Sequence, residues 1–161
     1  MVAETQAPWL SSDNLRWATV IQTSHERAFG TRLFTGSSTA VDSRAHSQEL
    51  FALAAPVLAH HASNDPLLIY ANAAALKLWR RCWSDMVGMP SRLTAPEQER
   101  TERAQALSKA QRVDAFQGYR GIRIDSQGRR FVIHNARIWT LWNEHGEACG
   151  QAASFSDWWW L

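Results

Sequence analysis

Arg129-Arg-Phe131-Val-Ile133-His-Asn-Ala-Arg-Ile138-Trp139-Thr-Leu141-Trp142 is the stretch whose reading decides the fold. It is long for a strand, where about 5–6 residues is usual, so it is expected to twist and curve. Under strict alternation both faces are apolar, with Phe131, Ile133, Trp139 and Leu141 on one and Val132, Ile138 and Trp142 on the other. An antiparallel sheet with one wet face alternates cleanly, so this sheet should be covered on both sides. The flanking segments Asp125-Ser-Gln-Gly128 and Asn143-Glu-His-Gly146 share one pattern, Asp or Asn first and Gly fourth. That choice suits a type I turn closed by a left-handed glycine. Two hairpins in series follow, joining residues 118–125, 129–142 and 147–155 into a meander.

Upstream, residues 57–61 and 67–71 read as two strands around the polar turn Ser63-Asn64-Asp65-Pro66. Asn72 sits where an N-cap belongs, ahead of a helix through Trp79. Thr94-Ala-Pro-Glu97 fits a capping box opening a helix over 95–112, with Glu99 and Arg103 paired on its wet side and Ala104, Leu107 and Ala110 on its dry one. Nearer the start, Ser11-Ser12-Asp13 opens a helix that Gly30 closes, and Ser47 is expected to cap a short helix stopped by Pro56. Residues 35–39 have linker composition. The layout is that of a PAS domain, an α+β fold: a five-stranded antiparallel sheet with helices on one face and an N-terminal helical extension. The expected division is 1–46 for extension and linker, and 47–161 for the PAS-like domain.

Five segments then add a resemblance: residues 65–79, 89–97, Tyr119-Arg-Gly-Ile-Arg123, Gly128-Arg-Arg-Phe131 and Gly150-Gln-Ala-Ala-Ser-Phe155. In that order they resemble the MEKHLA domain family, over roughly residues 50–155. The family is PAS-related and occurs both as small free-standing bacterial proteins and at the end of plant homeodomain–leucine zipper regulators. The resemblance implies a PAS-like fold and a sensing or interaction role. It implies no enzyme activity and no particular ligand.

Composition narrows the classes. The chain has 161 residues and a net charge of +2, from 17 basic against 15 acidic side chains. So small an excess gathers neither nucleic acid nor an anionic membrane. No apolar run approaches the ~20 residues of a membrane span, and no secretory leader is visible, so a cytoplasmic location is expected. Cys82 and Cys149 lie far apart, and the six histidines have no ligand spacing, so no metal or haem site is read. Cys82 lacks the setting of a flavin-adduct cysteine. Nucleotide loops, nucleophile elbows and zinc-protease motifs are absent. His134, alone among apolar neighbours, reads as a core histidine.

Candidate functional residues fall in two groups. Trp79 and Trp83, four apart on one helix face, with Leu93, Leu107, Phe131, Ile133 and Trp139 are candidate walls of a ligand pocket. Arg92, Tyr119 and Arg123 are its candidate polar anchors, suited to a small planar or acidic ligand. Such sensing needs an enclosed cavity of at least about 300 Å³. Failing that, the core is solid and the domain is a ligand-free interaction module; a small enzyme would need an acid–base pair that is not evident. The second group concerns docking and a homodimer. Trp17, Ile21 and Phe29 are expected to cover the outer face of the meander, within one subunit or across a dimer. Trp158, Trp159 and Trp160 cannot all face inward from a strand, so they cover a sheet edge or join a partner.

Overall fold

Helix α1 (Ser12–Phe29) begins where Ser11 accepts a hydrogen bond from the Asn14 amide and ends at Gly30, whose φ is 70°. These features come from a computed structural model of the chain, which describes residues 7–34 and 43–161. The linker expected at 35–39 lies outside the described residues. Helix α2 (Ser43–Ala52) contains Ser47 rather than starting at it. The Ser47 hydroxyl donates 2.8 Å to the Trp9 carbonyl, because the Trp9 ring stacks on Phe51 and buries that turn.

The sheet comprises β1 (Val57–His61), β2 (Leu68–Ala71), β3 (Ala115–Ile124), β4 (Arg130–Trp142), β5 (Ala148–Ser154) and β6 (Asp157–Trp160). Its order is β2-β1-β5-β4-β3, all antiparallel, with β6 on β4. Both hairpin turns close as expected, Gly128 on Asp125 and Gly146 on Asn143. The sequence suggested five strands and there are six, for a local reason. Arg137 faces Ser154 and His134 faces Asp157, so β6 continues the line of β5 along β4 after a break at Phe155 and Ser156.

At the same level Asn135 takes a φ of 53°, a bulge conformation that reverses the alternation of β4. Phe131 and Ile133 face the same core as Ala136 and Ile138, while Trp139 and Leu141 face the opposite one. The expected grouping of Trp139 and Leu141 with Phe131 and Ile133 is therefore corrected. One unpaired residue shifts the period-two pattern by one for the rest of the strand.

Helices α3 (Ala73–Trp79) and α5 (Arg100–Val113) lie over the inner face, with α5 against β3 and β4. The capping box does not form, since Thr94 Oγ1 donates 2.7 Å to the Ser91 carbonyl and 3-10 turns at Ser91–Thr94 and Glu97–Glu99 precede α5. Trp79 and Trp83 do not share a helix. Arg80 turns left-handed with φ 54°, and α4 (Trp83–Met86) restarts in a new direction. Trp79 joins the inner core and Trp83 the outer one.

The outer face is covered by α1 and α2. Trp17, Ile21 and Phe29 pack there with Trp139 and Leu141, and Trp139 Nε1 donates 3.1 Å to the Ile21 carbonyl. Asn72 ties this layer to the inner helices. Its Oδ1 accepts from the amides of Val57 and Ala75, and its Nδ2 reaches the carbonyls of Leu50, Leu53 and Ala55.

On β6, Trp158 and Trp160 meet each other and Phe131, while Trp159 faces His134 and the Arg120 guanidinium. His134 is exposed and pairs with Asp157 at 3.6 Å, not in the core where the sequence placed it, because Ile133 and Ala136 beside it face the inner core and His134 does not.

Candidate functional site

Between the inner face of the sheet and α5 lies a cavity of about 50 Å³. Leu58, Trp79, Leu107, Ile133, Ile138 and Phe155 supply apolar walls, and His60, Arg103, Tyr119, Arg123 and Gln151 the polar ones. This is far below the roughly 300 Å³ set for an enclosed pocket, because Trp79, Phe131 and Phe155 fill the core in edge-on contact. A cleft of about 570 Å³ adjoins it, reaching over the turn before β2 to the outer side of α5. His60, Arg103, Leu107 and Gln151 line both spaces. The enclosed pocket is thus replaced by a small inner chamber beside a wide cleft.

Two arginines line the chamber, and Arg103 stands where it adjoins the cleft. Arg103 is 9% exposed and Arg123 is 6% exposed. Arg123 donates 3.1 Å to Tyr119 Oη and 2.9 Å to its neighbour's carbonyl at Ile122, and Tyr119 Oη in turn reaches exposed Glu102 at 3.4 Å. Residue 121 makes this possible. A Cβ there would stand 2.5 Å from Tyr119 Oη and 2.9 Å from Arg123 Nη1, so only glycine lets the two side chains close over it. Arg103 makes no hydrogen bond or ion pair among the described residues, and Glu99 is not its partner. Burial, then the nearby Arg123 charge, pulls its pKa down to about 10, so it remains a cation at neutral pH.

His60 completes the wall as a neutral group. Burial above all, and then the Arg103 charge, hold its pKa at about 4 against the pull of its bond to the His61 carbonyl. Nδ1 lies 3.0 Å from that carbonyl and so carries the proton, which leaves Nε2 a buried lone pair with no partner. Gln151 is held by its Nε2 bond to the Leu107 carbonyl at 3.0 Å.

Of the residues proposed from sequence, Trp79, Leu107, Tyr119, Arg123 and Ile133 line the chamber. Phe131 and Leu93 belong to the surrounding core, and Trp83 and Trp139 to the opposite face. Arg92 borders the cleft, paired with Asp65 at 3.2 Å and half exposed. Arg103 and His60 were missed. Arg103 shares the helical stripe of Leu107 and Ala110, and that spacing was the available signal. Among the described residues no cluster of His, Cys, Asp and Glu could hold a metal, and no helix is long and apolar enough to cross a membrane.

The sequence model of the MEKHLA domain matches residues 15–160, nearly the whole chain. The chain belongs to the MEKHLA domain family. This MEKHLA domain shows no match among curated proteins. Among solved structures it is similar to an RNA-binding light-oxygen-voltage receptor, at TM-score 0.65 and 16% identity over 79% of this chain. The match spans only 36% of that receptor. It is also similar to a light-oxygen-voltage domain studied with a flavin analogue (TM-score 0.57, 14% identity, 76% of this chain and 87% of that one). A PAS domain from Colwellia psychrerythraea aligns at TM-score 0.60 and 12% identity, over 71% and 94% of the two chains. At such identities the likeness is one of fold, and it makes the MEKHLA domain an α+β PAS-like fold.

Proposed function

We propose that this protein is a sensory module that signals through a small molecule bound on the inner face, its head in the chamber and its body in the cleft. The observation that carries the reading is the continuity of the two spaces through His60, Arg103, Leu107 and Gln151. Ligand sites are concave and largely apolar with a few placed polar groups, and this lining has that composition. The expected ligand is small, and planar or acidic. The near-balance of charge favours it over nucleic acid. In this reading α1 serves as the cover of the outer face, residues 47–161 carry the sensing, and no catalytic step is assigned. Native mass spectrometry of the purified full chain tests it: a co-purified small molecule is expected, released on unfolding. A bare mass for Leu107→Trp, which blocks the passage, should accompany a ligand-bearing wild type. A bare wild-type mass that no small-molecule library shifts would remove the reading.

A second reading is favoured by the C-terminal strand, where Trp158, Trp159 and Leu161 are 36%, 42% and 68% exposed. These would seat a second copy of the chain in a homodimer, through the apolar surface they leave exposed. Sedimentation of the full chain against Trp159→Ser decides it, with a concentration-dependent dimer lost in the variant expected.

A further inference from the structure

We infer that the chamber is a carboxylate site, in which the Arg103 and Arg123 guanidiniums together hold the acid group of the ligand. The inference rests on the ligand-binding reading above and names the chemistry of the ligand's head. Guanidinium is all donor and no acceptor, so each buried fork needs anionic or carbonyl oxygens around it. Arg123 has only Tyr119 Oη and the Ile122 carbonyl, and Arg103 has none among the described residues. Two cations so deeply buried, close enough to affect one another and with no acid among the residues lining the chamber, would be stabilised by an anion between them.

Placement gives the direction of entry. Arg123 lines the chamber only, whereas Arg103 lines chamber and cleft. An acid group in the chamber therefore meets both guanidiniums, and the rest of the molecule extends past Leu107 into the cleft. The chamber, at about 50 Å³, has room for only a compact head group, which suits a planar carboxylate. Much of the remaining lining, such as Trp79, Ile133 and Ile138, is apolar, beside His60, Tyr119 and Gln151, so a singly charged head is easier to desolvate there than a phosphate dianion. The cleft adds Arg92 and Arg100 against Asp65 and Asp114, with Asp65 already paired to Arg92. Both flat forks can present parallel N–H donors to such a head.

The test uses the full chain and isothermal titration with benzoate and butyrate, their neutral amides, and inorganic phosphate. Carboxylates are expected to bind at least roughly tenfold tighter than the amides, with Arg103→Met and Arg123→Met each removing a roughly tenfold to hundredfold share. The variants should lose far less of their amide affinity than of their carboxylate affinity. Should either methionine variant fail to fold, Arg103→Lys keeps the charge and loses the fork, and carboxylate binding weakened more than amide binding is expected. Carboxylate and amide binding wild type equally, or carboxylate binding indifferent to both arginines, overturns the inference while ligand binding itself stands. Phosphate outcompeting carboxylate overturns the carboxylate class. No binding by any probe, with a bare native mass, removes both this inference and the reading beneath it.

Discussion

The two faces of one sheet are built in opposite ways. On the outer face α1 and α2 lay aromatic rings against β4, and Trp139 is met by His25 and Phe29 edge-on, with its indole N–H bonded to α1. His25 Nδ1 donates to the Thr31 carbonyl at 2.8 Å and Nε2 accepts from Arg137 at 3.2 Å, which fixes its neutral tautomer. On the inner face the helices leave a chamber, two buried guanidiniums and a histidine with a buried, unpartnered nitrogen. Among the described residues each face keeps a buried polar atom without a partner, Tyr70 Oη on the outer one and His60 Nε2 on the inner one, but only the inner face sets this beside two buried guanidiniums. Filling the inner face with hydrocarbon would serve folding alone, and that difference is why the proposed ligand is placed there.

The comparison breaks most visibly at Trp139. Trp139→Ala should cost about 3–5 kcal/mol in urea unfolding and leave carboxylate titration of the folded protein unchanged. If the probe's affinity fell with it, the two faces would not be independent. Asn72 is the link between them, and Asn72→Ala should cost about 3 kcal/mol, since it strands buried amides and carbonyls on both layers. Amide hydrogen exchange should then show α2 and α3 loosening together.

Acid sharpens the contrast next. Folded His60 stays neutral down to about pH 4, while an unfolded histidine takes its proton near 6.5. The stability it contributes is whole above pH 6.5 and drains as pH falls toward 4, by up to about 3 kcal/mol. His25, held below its ordinary value chiefly by burial, drains in the same direction. Unfolding free energies across pH 4–7 check this, and the slope should flatten in His60→Asn. Smallest in stability is Gly121→Ala. It should cost under about 1 kcal/mol, because flexible side-chain ends can yield, yet it should push Tyr119 and Arg123 apart and weaken the carboxylate probe.

Much of the architecture follows from chemistry that acts within a few residues. Ser11 and Gly30 bound α1, Asn72 caps α3, and Gly128 and Gly146 close the two hairpins, since each of these is a local hydrogen-bond or φ requirement. Apolar residues on both sides of β4 likewise announce a sheet covered twice. Tyr119 and Arg123 on one strand face could be read the same way, and they meet at 3.1 Å.

What only the tertiary structure decided depends on sums over distant parts. Asn135 is an unremarkable letter in a strand, yet its left-handed turn moves Trp139 to the other core. The left-handed break at Arg80 does the same to Trp83. The room left on the inner face is a small difference between large packed volumes, so tryptophan content alone cannot give its size. Arg103 looks like a wet-side helix charge until α5 is laid over the sheet. Its burial beside Arg123 is set by two segments that meet only in the folded chain, and desolvation is a property of everything around a charge, not of its sequence neighbours.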